Sequence, residues 1–346
     1  MSSFSGNAII AKAKALYGHG LKESDYKELS RKKNVAEVAG YLKNQDNYRD
    51  VLQDIQEMTI HRGQLEELIK KNQFNQILRI IKFVLGPDKP FYEPNLIERG
   101  EIDLILATVR SIISGGFQIA IAEFPIYFVR HAKFDILSLS SVRTYADLLG
   151  AVRGTRYESI LEPFATNDPE QIRYVEIERA LETSYYDTIF ERIRTLFKGK
   201  TRKELETMFM TKIELENIVK IYRLKKFYQV DPSVIRANLN THATRISKKK
   251  LEEMIQLPEA DMLLNYLSKS EFSKYMDEDE YVYIEYYADK MKYYLAKRYM
   301  HYSLSAPQVF YAFLILTEIE RQNLFNIIEG IRYGLSNQEI DRMLIT

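Results

Sequence analysis

Self-similarity constrains this chain more than any other feature. Two helix-like signatures recur three times, in the same order, at intervals of about 110 residues. The first is a pair of apolar residues, a short spacer, then an aromatic with two apolar residues three and four positions later. It reads Val38-Ala39-Gly40-Tyr41-Leu42 with Tyr48, Val51 and Leu52, then Leu148-Leu149-Gly150-Ala151-Val152 with Tyr157, Ile160 and Leu161. The third copy is Leu263-Leu264-Asn265-Tyr266-Leu267 with Phe272, Tyr275 and Met276. The second signature follows each aromatic by about 50 residues: Glu101-Ile102-Asp103-Leu104, Lys212-Ile213-Glu214-Leu215 and Glu318-Ile319-Glu320-Arg321. Self-similarity at a fixed period marks an architecture built from copies of one unit. This period is far longer than those of common solenoids, so each copy is expected to be a small bundle of several helices. Three such bundles around a common axis make a shape suited to holding another molecule rather than converting one.

Composition narrows the class. The 346 residues suffice for a substantial core. The 49 basic and 48 acidic residues nearly cancel, which argues against a broad nucleic-acid-binding surface. There is no cysteine, so disulfides, thiolate metal sites and cysteine catalysis are excluded. The N-terminal Met1-Ser2-Ser3-Phe4-Ser5-Gly6 lacks the pattern of a secretory signal, and an intracellular setting is expected. The most apolar region, Ile102 to Phe128, is interrupted by Arg110, Gly115-Gly116, Glu123 and Pro125. Val309 to Leu316 falls far short of the roughly 20 apolar residues a bilayer span needs. Membrane association is therefore expected only through a partner protein.

Helical periodicity dominates. Leu65, Leu68, Ile69, Leu78, Ile81 and Val84 keep mostly three- and four-residue steps, broken at the polar Asn72–Asn75 stretch, and Ile177, Leu181, Tyr185, Ile189 and Ile193 form a second stripe. Capping boxes are expected at Thr201–Glu204, Ser305–Gln308 and Ser336–Glu339. Asp168-Pro169 and Asp231-Pro232 each place a capping carboxylate before a proline, and Gly334 reads as a helix stop. Phe134 to Leu139 alternates briefly, with no hairpin turn after it. Pro87, Pro90 and Pro94 suggest a long loop peculiar to the first copy. The expected fold is all-α, with roughly 15 to 20 helices in three pseudo-repeated bundles around a central funnel. The repeats are placed at residues 1–122, 123–216 and 217–346.

Enzymatic constellations are weak. Gly199-Lys200-Thr201 resembles the end of a P-loop, but Arg194 stands where the first glycine is required and no strand precedes it. Histidines 19, 61, 131, 242 and 301 are isolated. The run Asp277-Glu278-Asp279-Glu280 lacks the paired Asp-rich helices of metal-dependent prenyl transfer. No catalytic, cofactor-binding or metal-ligating residue is assigned, and no cofactor is expected. Arg245 to Lys250 reads as the start of a surface helix, and the late tyrosines, Tyr281 to Tyr294, as rings serving either a core or an interface.

At these residues the chain resembles the C subunit of the archaeal and bacterial A/V-type rotary ATPases, known as the d subunit in the eukaryotic vacuolar enzyme. The likeness rests on the Ala/Lys-rich N-terminal helix with Leu16-Tyr17, on Leu21 and Asp25-Tyr26-Lys27-Glu28-Leu29, and on the short helix ending in Tyr48. It continues through Asn217, Arg223 and Lys225 to Glu320-Arg321-Gln322-Asn323. The order, spacing and threefold recurrence of these residues carry it, over essentially the whole chain. The resemblance implies a non-catalytic component of the central stalk, a three-lobed socket peripheral on the cytoplasmic face of the membrane. Its partners would be the central shaft subunits and the rotor ring of proteolipid subunits, coupled for ATP-linked proton or sodium transport. The alternative is a helical scaffold or nucleic-acid-binding adaptor using its basic helices.

Each copy opens on a basic stretch, and Lys12, Lys14, Arg130, Lys133, Arg223 and Lys226 are the candidate partner contacts. They either line the axis, favouring association rate and orientation, or form a solvated outer face. Asp103, Glu214 and Glu320 share one repeat position, with Leu106, Asn217 and Asn323 three residues later. An acid and an amide three apart share a helix face, for pairing inside the bundle or with a partner. Tyr48, Tyr157 and Phe272 are expected to anchor the bundles.

Overall fold

The computed structural model describes residues 3–116, 125–241, 243–269, 273 and 283–346. Most of the third aromatic signature (Phe272 and Lys274 to Met276), the acidic run 277–280, Tyr281 and His242 lie outside the described residues. Among those described there are seventeen α-helices and no strand: the protein is all-α. In chain order they are α1 (Ser3–Gly18), α2 (Glu23–Leu29), α3 (Val35–Lys43), α4 (Arg49–Leu52), α5 (Arg62–Ile81), α6 (Lys89–Ser114), α7 (Ile126–His131), α8 (Tyr145–Ala151) and α9 (Arg156–Leu161). They continue as α10 (Tyr174–Leu196), α11 (Gly199–Arg223), α12 (Pro232–Asn238), α13 (Lys248–Gln256), α14 (Asp261–Ser268), α15 (Ile284–Tyr302), α16 (Ala306–Arg332) and α17 (Asn337–Arg342).

Five of the long helices are α5, α6, α10, α11 and α16, and their apolar stripes explain them. Ile177, Leu181, Tyr185, Ile189 and Ile193 are all buried along α10. Helix α5 runs unbroken through the polar stretch that interrupts its stripe, because Asn72 and Gln76 are themselves buried, with Asn72 hydrogen-bonded at the Tyr48 hydroxyl. The caps divide. Ser336 and Glu339 form the expected capping box, Asp168 accepts from the Glu170 N–H at 3.0 Å, and Gly334 (φ 69°) ends α16. Helix α11 starts two residues before the expected box, at Gly199, so Thr201 lies inside it. Ser305 precedes α16 without a side-chain cap, since Gln308 instead accepts from the Ser303 hydroxyl at 2.6 Å. The proline stretch is no long loop. Pro90 occupies the first turn of α6 and Pro94 lies just inside it, near the terminus, where a missing N–H removes only one helical bond. Phe134 to Leu139 closes as a 3-10 turn over Ile136–Ser141.

The chain forms two compact units, one of Met1–Pro87 with Glu259–Thr346 and one of Asp88–Pro258. In the first, α16 packs against α15, α1, α5, α3 and α17. Its core joins Tyr26, Leu42 and Tyr48 of the N-terminal segment to Leu324, Ile327 and Ile340 of the C-terminal one. In the second, α10 packs on α6, α9, α11 and α12, and α6 also meets α8. A fully buried Leu or Ile side chain contributes roughly 2 kcal/mol, so α16, with Val309, Leu324, Ile327 and Ile328 at zero exposure, is a principal organiser of its unit.

Candidate functional site

Three long helices, α6, α11 and α16, each carry a glutamate inside the protein at mid-length. Glu101 and Glu214 are 0 % and 1 % exposed, and Glu320 is partly exposed along a cavity. Each accepts the backbone N–H of a residue in a connection between helices. Glu101 takes the N–H of Lys133, Glu214 that of Arg245 at 2.5 Å, and Glu320 that of Leu21 at 3.2 Å. Two of them also hold the aromatic anchor. The Tyr157 hydroxyl donates to Glu101 at 2.7 Å, and the Tyr48 hydroxyl to Glu320 at 2.7 Å. Glu214 is held instead by the Arg245 guanidinium, with Nη2 on Oε2 at 2.7 Å and Nε on Oε1 at 3.2 Å.

The sequence register of the first acid needs correction. Asp103 is exposed and pairs with Arg99 at 3.2 Å, while the carboxylate on the other side of Ile102 does the work of Glu214 and Glu320. Aligning the three isoleucines hid this, because the acid precedes Ile102 but follows Ile213 and Ile319. The amide three residues on does recur twice. Asn217 donates to the Asn240 carbonyl at 2.7 Å and accepts its N–H at 3.0 Å; Asn323 does the same to Ile345, at 2.7 and 3.0 Å. The expectation that acid and amide pair inside a bundle holds for both.

The surroundings repeat as well. A left-handed residue follows each acid helix: Gly115 (φ 68°) directly after α6, Gln229 (φ 49°) after the π-helical turn Leu224–Tyr228 that continues α11, and Gly334 (φ 69°) two residues after α16. After it comes a short helix that buries one apolar side chain: Phe128 of α7, Ile235 of α12, Ile340 of α17. Close approach requires glycine at two contacts. A Cβ at Gly100 would stand 2.7 Å from the Phe128 ring, and one at Gly330 would stand 2.6 Å from Ile340.

Desolvation sets the electrostatics. Burial pushes Glu101 and Glu320 above the ordinary carboxylate range, partly offset by the Tyr157 and Tyr48 hydrogen bonds. Burial, then the charge of the partner acid, pushes both tyrosine hydroxyls well up, so they remain donors. Beside Glu101, Glu98 is 5 % exposed and takes Arg192 at 2.6 Å and Arg156 at 3.2 Å. These are positioning networks with no nucleophile–base pair among them. Among the described residues no group of three His, Asp or Glu side chains could hold a metal ion. Gly199 to Thr201 start a helix rather than a phosphate-cradling turn.

The six candidate contacts fall on dissimilar elements. Lys12 and Lys14 lie half-buried on α1, and Lys14 Nζ donates to the His301 carbonyl at 3.2 Å. Arg130 is exposed near the end of α7, and Lys133 is exposed just after it, with its N–H on Glu101. Arg223 and Lys226 are exposed at the end of α11 and in the π-helical turn after it. Lys225 donates to the Leu257 carbonyl beyond α13 at 2.7 Å. Arg245 was legible only as part of a basic patch. The signal that could have found it is the motif Thr-x-Ile-Glu-x-x-Asn, which occurs at Thr211–Asn217 and again at Thr317–Asn323.

The protein is all-α and repeats a carboxylate-centred helical module. Comparison with known proteins gives the family. The chain belongs to the ATP synthase (C/AC39) subunit family, which it matches over residues 9–343. It is similar to the C subunit of the A-type ATP synthase of Methanosphaera stadtmanae, at 22 % identity over 268 residues, covering 76 % of this chain and 65 % of that protein. It is also similar to the C subunit of the A-type ATP synthase of Methanosarcina mazei, at 26 % identity over 134 residues, covering 39 % of this chain and 34 % of the relative. The match thus spans less than two thirds of either relative's length. No helix among the described residues is long and apolar enough to cross a membrane.

Proposed function

We propose that this chain is a non-catalytic component of the central stalk of an A/V-type rotary ATPase, a socket that couples the central shaft to the membrane rotor ring. The observation that carries this reading is the family match over residues 9–343. The naming of both relatives as the C subunit of an A-type ATP synthase, and the threefold carboxylate-centred module, support it.

In this reading three lobes, drawn from residues 1–122, 123–216 and 217–346, surround a central opening that receives the foot of the shaft. The opposite end sits on the proteolipid ring at the cytoplasmic face. Torque transmission favours a broad complementary interface over a few chemical groups. The hydrogen-bonded acids tie the three segments together, since Glu101 holds Tyr157, Glu214 holds Arg245 and Glu320 holds Tyr48, and such polar networks fix one packing arrangement. Lys12, Lys14, Arg130, Lys133, Arg223 and Lys226 supply positive charge that orients the shaft or ring on approach.

The test is capture of purified shaft subunits, and separately of purified ring, by the immobilised protein at increasing salt. Capture of both, with association slowed by salt and by reversing the six charges, is the expected result. Absence of capture of either partner by folded protein overturns the coupling role. Capture that ignores salt removes the six residues from it. Retention on immobilised nucleic acid in place of both partners favours the adaptor alternative.

A further inference from the structure

Helices α11 and α16 carry the same motif, and three of its four fixed residues do the same thing in both. The asparagines clamp a backbone peptide, the glutamates accept a backbone N–H, and the isoleucines are buried. The face made by threonine and glutamate differs. On α11, Arg245 Nη2 bridges Thr211 Oγ1 at 2.9 Å and Glu214 Oε2 at 2.7 Å, so the threonine–glutamate pair is a guanidinium seat. On α6 the corresponding positions are Glu98 and Glu101, and Glu98 takes the guanidiniums of Arg156 and Arg192. On α16, Thr317 and Glu320 line a cavity of about 240 Å³, with Gly20, Leu21, Tyr17 and Lys297 among its walls.

We propose that this cavity is a binding site for a guanidinium group, an arginine side chain presented by an extended peptide segment of a partner protein. Three features of the site fit that ligand. Leu21 stands where Arg245 stands in the other copy, each giving its N–H to the acid, so at Leu21 the chain supplies the backbone donor with an aliphatic side chain. A carboxylate has about four acceptor positions. Glu320 uses one on each oxygen, for Leu21 and Tyr48, and among the described residues it forms no ion pair. The two lysines at the cavity are engaged elsewhere, Lys22 with the Gly18 carbonyl at 2.8 Å and Lys297 with the Tyr293 hydroxyl at 3.1 Å. Among the described residues, Thr317 Oγ1 meets only the Gln73 amide as donor, at a weak 3.4 Å.

Arginine fits better than lysine because its planar fork can span hydroxyl and carboxylate together, as Arg245 does. An extended segment fits because Gly20-Leu21 on one side and Ile345-Thr346 on the other border the cavity. In the α11 copy, Thr244 and Arg245 take the place of Gly20 and Leu21 beside the acid, and Asn240 takes that of Ile345. The burial that raises the Glu320 carboxyl is also what a buried cation would offset. The site is independent of the coupling role.

The probe is the acetylated, amidated tetrapeptide Ala-Thr-Arg-Ile, the sequence of residues 243–246, carrying a fluorescein label and followed by anisotropy. Binding to the full chain is expected, with movement of the Leu21 amide signal in an NMR titration. Replacing the peptide's arginine by lysine is expected to weaken binding about tenfold, and by norleucine to abolish it. Thr317→Val, which keeps the Tyr48–Glu320 pair, is expected to weaken binding by a similar factor. Leu21→Arg, which installs the guanidinium internally, is expected to block the peptide and raise Tm. No binding at millimolar peptide overturns the proposal. So does equal affinity for the norleucine peptide, or undiminished binding to folded Thr317→Val.

Discussion

The copies centred on Glu214 and Glu320 solve one problem in two ways. Both bury a carboxylate against a helix, a backbone N–H and a side chain. Glu214 is neutralised by the Arg245 guanidinium, and the residues that serve it follow in sequence within 31 positions. Glu320 is held by the Tyr48 hydroxyl, 272 residues away, and by the Leu21 N–H, 299 residues away. Where the anchor position has tyrosine, the hydroxyl reaches the acid. At Glu214 an arginine supplies the donors instead. The module is thus defined by satisfying the acid, and the donor that does so is interchangeable. An ion pair should therefore be costlier to break than a hydroxyl contact.

The largest effect should come from Arg245→Met. It leaves Glu214 buried without its cation, and removing one partner of such a pair costs about 3 kcal/mol; the 39 % exposure of the arginine keeps the value at the low end. Urea unfolding should show the loss, and a change under about 1 kcal/mol would make the pair incidental. Gly330→Ala comes next. Its Cβ collides with Ile340 at 2.6 Å, and overpacking of this kind costs about 2 kcal/mol. Thermal unfolding of that variant, with Gly100→Ala as its counterpart against Phe128, tests whether both short helices need the close approach. Tyr48→Phe should cost about 1.5 kcal/mol, the value of one hydrogen bond to a buried acid. Tyr157→Phe should match it, and a larger loss in either would show that the ring's packing changed too.

Gln229→Gly should stabilise by about 0.5–1 kcal/mol, because Gln229 alone fills with a side chain the left-handed stop that Gly115 and Gly334 fill in the other copies. Loss of stability there would separate α11 from the other two acid helices. The mildest effect is a pH slope. Burial raises Glu320 above its ordinary 4.5, so between that value and the raised one the native state holds a proton that the unfolded chain has released. Stability relative to Glu320→Gln should be full below 4.5 and should fall as pH rises through the raised value. A difference that grows with pH would mean the acid folds ionised.

The all-α class and the threefold recurrence were legible because helix faces leave periodic apolar stripes and because Tyr48, Tyr157, Glu214, Glu320, Asn217 and Asn323 stand in register. The pairing was not legible. Sequence order suggests that each acid helix closes the copy before it, yet Glu101 serves Tyr157, 56 residues downstream, and Glu320 serves Tyr48. Positions along a chain carry no information on which helix a buried hydroxyl will reach. Pro94 misled for a physical reason, since proline near a helix start costs little and signals a loop only further in. Of the candidate contacts, the sequence shows charge but not exposure: Lys14 is tied to His301, whereas Arg130 is open. Arg245, hidden in a basic run, holds the buried Glu214 while its own side chain stays 39 % exposed.

The central claim is that one acid-centred module occurs three times, once assembled from segments nearly the whole chain apart. Amide hydrogen exchange at Leu21, Lys133 and Arg245 tests it most directly, because each N–H lies outside an α-helix and is protected only by its glutamate. Slow exchange at all three, with Leu21 as protected as Lys133 and Arg245, is the predicted result. Exchange of Leu21 at the rate of an open loop, while the other two stay protected, would contradict it.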